Sequence, residues 1–264
     1  MRDDTRPNLT ASALRGVRDP RLFLAGVYVV MWFGGVITYS LYGSPPANMT
    51  WAGPAFLTLA GLLVVLTTQP RQLFAPLLAA IIGFTSEVVG VATGTIYSGY
   101  SYSAALGPKV LDVPLAMVPA WLVLAAYVLE LSRRWRVPGV TRVFVAAAWM
   151  TGIDLVIDPV AANPLGFWEW HSRGRYYGIP LHNFAGWFGV SLLFFGLARC
   201  LPYQNVCARW LGVSVVAFFA VVAFAFGFTI PGLIGIALIV LDLIVSHLAS
   251  ASGRQIPIRP SPRQ

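Results

Sequence analysis

Nearly uncharged apolar runs about as long as a bilayer is thick recur along the whole chain, at residues 21–42, 51–69, 73–96, 111–131, 142–158, 180–200, 209–226 and 230–249. A helix rises ~1.5 Å per residue, so about twenty residues cross a ~30 Å hydrocarbon core. With 57% hydrophobic and 11% charged residues, too little polar surface remains to cover a soluble domain of 264 residues. The pattern predicts an all-α, polytopic transmembrane helical bundle forming one domain over residues 21–249, multi-pass in the cell membrane.

The last division rests on Gly227 and Pro231, which must break an apolar run too long for one span. Basic residues test the count. Eight spans place fifteen of the eighteen Lys and Arg residues in the tails and connections of one side. Lys109, Arg173 and Arg175 fall on the other. By the positive-inside rule the termini are then cytoplasmic. Seven spans, the alternative, would move the C-terminal arginines outside.

The polar stretch 1–20 lacks the apolar core and cleavage site of a signal peptide, so the first apolar run is expected to be retained. The Pro, Arg and Ser-rich tail 250–264 is expected to be disordered. Cys200 and Cys207 form neither a CxxC pair nor a metal-ligand cluster. The net charge of +8 is dispersed between apolar runs and not gathered into a patch, which argues against nucleic acid as a partner.

Asp154 to Trp187 concentrates what polarity the apolar part of the chain has: three of ten acidic residues, two of three histidines and three of nine tryptophans. Asp154 and Asp158 are four apart, one turn along one helix face. Two carboxyls so close in a low-dielectric site cannot both ionise cheaply, so one tends to keep a proton. Pro159 is expected to stop the helix there. Asn163, Pro164 and Gly166 make a turn, and Trp168 and Trp170 follow as either an interfacial aromatic belt or the wall of a site. Pro180 opens the next helix and places His182 and Asn183 at the depth of the two aspartates. His182 reads equally as a structural partner, and His171 as an exposed loop residue.

Ionisable side chains inside a membrane usually face the bundle interior and mark a site. Glu87 lies in the third run, before the Gly90 and Gly94 pair that admits a close neighbour; it serves either a site or helix packing. Asp242 reads as a helix-packing partner or an end residue. Tyr100 and Tyr102 belong to a Tyr and Gly-rich loop that covers a pocket or lies at the interface, and Asp112, Val113 and Pro114 are expected to open the fourth helix.

Two stretches, Ser86 to Val123 (SEVVGVATGTIYSGYSYSAALGPKVLDVPLAMVPAWLV) and Asp154 to Trp187 (DLVIDPVAANPLGFWEW, then YYGIPLHNFAGW), together resemble the integral-membrane carotenoid hydratases of the CruF and bisanhydrobacterioruberin hydratase type. The resemblance implies a carbon–oxygen lyase that adds water across the terminal C=C of an acyclic carotenoid end group to give a tertiary alcohol. It implies no organic cofactor. Its partners are a lipophilic isoprenoid or carotenoid substrate, water and membrane lipids, with association with other carotenoid-pathway enzymes left open.

Such hydration needs an acid, a cavity tolerant of a tertiary cation, and a base that guides water. Asp154 or Glu87 is expected to give the proton and Asp158 with Asn183 to position water. Tyr100, Tyr102, Trp168, Trp170, His182 and Trp187 are expected to line the substrate site. One rival is a protonation-initiated isoprenoid or carotenoid cyclase. The other is a proton-coupled transporter or lipid-binding protein, disfavoured by the lack of an internal repeat.

Overall fold

The computed structural model describes residues 19–251, so nearly all of the two polar tails lies outside the described residues. These fold into eight α-helices: α1 (Pro20–Ile37), α2 (Ala52–Thr67), α3 (Phe74–Thr93), α4 (Met117–Ser132), α5 (Gly139–Ala162), α6 (Leu181–Ala198), α7 (Val206–Ala225) and α8 (Thr229–Ala251). Each coincides with one of the apolar runs. Six of them are long and apolar enough to cross a membrane, α1 being continued by a π-turn to Tyr42. The other two, α2 and α4, have 16 residues each, roughly 24 Å of helix.

Helix α4 lies at the centre of the bundle. Thirteen of its sixteen residues are buried, because α2, α3, α5 and α7 pack around it, so it is the axis of the bundle. Lipid-facing stripes lie on the outer helices, for example Phe23, Val30 and Phe33 on α1 and Phe74, Leu77 and Ile81 on α3, all exposed. Close approach of α3 to α4 requires Gly83: a Cβ there would sit 2.1 Å from the Trp121 ring. On α7, Ser214 anchors α1, its Oγ pairing with the Tyr28 hydroxyl at 2.8 Å and its carbonyl accepting from Trp32 Nε1 at 2.8 Å. Asp242 on α8 is fully buried and takes both Nε (3.1 Å) and Nη2 of Arg209 on α7. It is therefore a helix-packing partner.

Two expectations are corrected. Residues 109–114 do not begin α4; they form a small hairpin, β2 (Lys109–Val110) against β3 (Val113–Pro114), whose two-residue turn holds Leu111 at φ 51° and Asp112 at φ 64°. Positive φ at both central positions is what the strand twist asks of so tight a turn. Nor does Pro159 stop α5, which runs on to Ala162 with Pro159 inside it. A proline in a helix leaves the carbonyl four residues earlier without its N–H. Here that carbonyl belongs to Leu155, and the Tyr176 hydroxyl donates to it at 2.9 Å.

Two further short strands, β1 (Tyr100–Tyr102) and β4 (Trp168–Trp170), pair antiparallel over one end of the bundle. They bring the α3–α4 connection and the α5–α6 connection into one layer above the helix ends.

Candidate active site

Helix α5 carries Asp154 and Asp158 one turn apart on its buried face, and α6, entered through Pro180 as its N-cap, presents Asn183 in its first turn. The Asn183 side-chain amide donates to Asp154 Oδ2 at 2.7 Å and to Asp158 Oδ2 at 2.6 Å. An amide NH₂ has two hydrogens, so one group can hold both carboxyls. All three side chains are buried, with 3%, 1% and 2% exposure. The second oxygen of Asp158 accepts from Trp168 Nε1 at 2.7 Å and from Trp170 Nε1 at 3.2 Å. Asp158 is thus held by three N–H donors, whereas among the described residues Asn183 is the one donor that Asp154 has.

The β1–β4 ladder makes a second cluster. Its register sets Tyr100 opposite Trp170 and Tyr102 opposite Trp168, with ring centroids 5.0 and 5.8 Å apart. Residues two apart on a strand share a face. On β4 that face sends both indoles to Asp158; on β1 it sends both phenols to Glu87. Glu87 Oε2 accepts from Tyr100 and, at 2.8 Å, from Tyr102, and its Oε1 accepts from Trp121 Nε1 at 3.1 Å. Burial, and after it the Glu87 carboxylate alongside, pushes both phenol groups well above the ordinary tyrosine range. They remain donors. Tyr97 extends the cluster through its hydroxyl, 2.6 Å from Ser86 Oγ.

Between α2, α4, α5, α6 and α7 lies a cavity of about 70 Å³. Among the described residues, Asp154 is the one ionisable side chain in its lining, and the rest is apolar or aromatic, including Trp121, Phe167, Trp168 and Trp187. Trp121 and Trp187 stack at 4.4 Å with a 7° interplanar angle. Glu87, Asp158, Asn183, Tyr100, Tyr102 and Trp170 stand behind this lining. Glu87, Asp158, Asn183 and Tyr102 touch lining residues, and Tyr100 and Trp170 hold Glu87 and Asp158 in turn.

His182 does not join either cluster: it is exposed, and its Nε2 lies 2.7 Å from the Thr95 carbonyl. It ties the start of α6 to the end of α3. Trp121, in contrast, was not singled out in the sequence, although it donates to Glu87, stacks on Trp187 and lines the cavity. Its signal was its place in the motif VPAW, where an indole N–H entering an apolar helix needs a buried acceptor. Among the described residues, no group of three or more His, Cys, Asp or Glu side chains is placed to hold a metal ion.

Comparison with known proteins places this architecture. Residues 49–242, from before α2 to within α8, match the family described as carotenoid biosynthesis protein. The chain belongs to that family. All the residues of both carboxyl clusters lie within the match. Bisanhydrobacterioruberin hydratase from Haloarcula japonica is 37% identical over 123 residues, which cover 43% of this chain and 41% of that protein. The chain thus matches less than half the length of that relative. No solved structure matches this chain.

Proposed function

We propose that the protein hydrates the terminal C=C of an acyclic carotenoid end group, without a cofactor, to a tertiary alcohol. The observation that carries this reading is Asp154 as the one ionisable group facing an otherwise apolar, aromatic-walled cavity. An alkene is a very weak base, so its protonation needs an acid delivered at close range in a water-poor site. Asp154 gives its proton to the less substituted carbon of the terminal double bond, and the electron pair of that π bond forms the new C–H bond. The tertiary cation that results lies among the π faces of Trp121, Trp168 and Trp187, which stabilise positive charge. A water molecule adds through its oxygen, and its surplus proton returns to the Asp154 carboxylate.

Asn183 and Asp158 serve this step as positioning residues. The bridging amide fixes the Asp154 carboxyl, and Asp158, fixed in turn by two indoles, fixes the amide. Glu87, held by three donors behind Trp121, is assigned to orienting the aromatic wall in place of proton donation. The bilayer delivers the lipophilic substrate, and hydration makes the protein a carbon–oxygen lyase.

A cyclase would share the first step and omit the water. The polar cluster beside Asp154 favours water. Expression in a lycopene-accumulating host, followed by chromatographic separation and mass analysis of the pigment, tests both. Hydration adds one water per reacted end, cyclisation leaves the mass unchanged, and unaltered pigment counts against both for that substrate. Asp154→Asn should return the unaltered pigment.

A further inference from the structure

A second cavity, of about 790 Å³, opens among the loops above the helix ends. Its character is opposite to that of the first. Ser101, Ser103, Asn163, Glu169 and Arg173 give it a polar lining, and it is roomy enough to be filled with water. Among the described residues, Trp168 alone lines both spaces. The residues on either side of it in sequence divide the same way, Phe167 lining the apolar cavity and Glu169 the polar one, as do Ala161 and Ala162 at the end of α5. The Trp168 indole is latched on its polar edge by Asp158, at 2.7 Å, and backed by Tyr102 across the ladder.

We propose that Trp168 is the partition between an aqueous vestibule and the apolar reaction cavity, latched by Asp158, and that water for the reaction enters past it. The proposal rests on the hydratase reading for its need of water, but the partition itself does not. The apolar cavity must stay dry enough to keep a cation from uncontrolled capture, yet one water must arrive from somewhere. The bundle offers it a route through a single indole instead of through the lipid-facing helices. Asp158 lines neither space, and its three N–H partners suit a latch better than an acid. The positive-inside pattern puts the vestibule on the outer face.

Cysteine labelling tests the partition without reference to turnover. In full-length protein with Cys200→Ser and Cys207→Ser, single Ala161→Cys and Ala162→Cys variants in sealed, right-side-out membranes are exposed to a small membrane-impermeant thiosulfonate. The expected result is fast modification of Ala162→Cys and modification of Ala161→Cys at least tenfold slower. Adding Trp168→Ala should raise the Ala161→Cys rate at least tenfold. Should that variant fail to fold, Trp168→Phe, which keeps a ring but loses the N–H to Asp158, should raise it about threefold or more. Equal rates at 161 and 162, no labelling at 162 from outside, or a rate at 161 indifferent to residue 168 would overturn the proposal. A separate arm measures hydration. If wild-type protein leaves the pigment unaltered, the hydratase reading fails while the labelling result stands. If wild-type protein hydrates and label at Ala162→Cys leaves the rate unchanged, water does not use this route.

Discussion

Tyr102 and Trp168 face each other across the β1–β4 ladder, and their polar atoms reach different carboxyls: the phenol donates to Glu87 at 2.8 Å and the indole to Asp158 at 2.7 Å. Two loops far apart in sequence are therefore locked to two helices, α3 and α5, through one short sheet. An isolated two-stranded ribbon is marginal in water, so this one owes its order to the buried acceptors beneath it as much as to its own bonds.

The tyrosine half of that lock should show in the alkaline limb of stability. Burial and the Glu87 carboxylate hold Tyr100 and Tyr102 above the ordinary value of 10.0. For a group raised on folding, the stabilising contribution is complete below its unfolded value and is lost as pH climbs from there towards the folded one. Thermal unfolding in detergent should thus weaken above a pH of about 10. The Tyr100→Phe/Tyr102→Phe variant should be less stable at neutral pH, by about 1–3 kcal/mol for each donor taken from a buried carboxylate, and should show a shallower alkaline loss. An unchanged alkaline slope would count against the assignment.

Glu87 and Asp154 should respond differently to amide replacement. Glu87→Gln brings an NH₂ into a site that already supplies three donors, so melting temperature should fall while some turnover survives. Asp154→Asn keeps the shape beside a bridging amide and removes the acid. Turnover should drop by about 10²–10⁴-fold, the usual worth of a general acid, with little change in melting. Native melting and no turnover in Glu87→Gln, beside full turnover in Asp154→Asn, would reverse the two roles.

How far the sequence reached can be seen residue by residue. The eight helices were legible because charge-poor runs of bilayer length have few other solutions in water or lipid. Asp154, Asp158 and Asn183 were legible as a group because four-residue spacing fixes the first two, and Pro180, opening the next helix, brings the third to their depth. The ladder that joins Tyr102 to Trp168 was not, since strand pairing between distant loops leaves no local period. Nor was the turn at Leu111 and Asp112, which carries none of the Asn or Gly residues that usually announce it. Of the two readings open for His182, the structure shows the structural partner, because adjacency to Asn183 in sequence means different faces on a helix. Its ring turns outward to Thr95.

Pro159 failed as a stop signal because the missing hydrogen bond is supplied from outside the helix, and this is open to a double-mutant cycle. Tyr176→Phe should strip the Leu155 carbonyl of its donor and cost about 1 kcal/mol. In a Pro159→Ala background the helix regains its own N–H at that carbonyl, so the same Tyr176→Phe change should cost close to nothing. The coupling energy is read from unfolding of the four variants. Equal costs in both backgrounds would show that the tyrosine matters for packing alone.

The Arg209–Asp242 pair is the other polar contact the sequence leaves half-read, since Asp242 reads there as either a helix-packing partner or an end residue, with nothing pointing to Arg209. With 5% and 0% exposure, both charges are out of reach of solvent, and the two-pronged guanidinium contact joins α7 to α8. Such a pair holds helices in register, but its attraction is spent largely against desolvation, so its absence matters less than its halving. Arg209→Met alone should destabilise by about 3–5 kcal/mol because it leaves Asp242 buried and unmatched. Arg209→Met with Asp242→Leu should recover most of that loss. Since both residues lie away from the reaction cavity, the double variant should hydrate at the wild-type rate wherever it folds. A double variant as unstable as the single would mean that the α7–α8 contact depends on the ion pair itself and not on the cost of an orphaned charge.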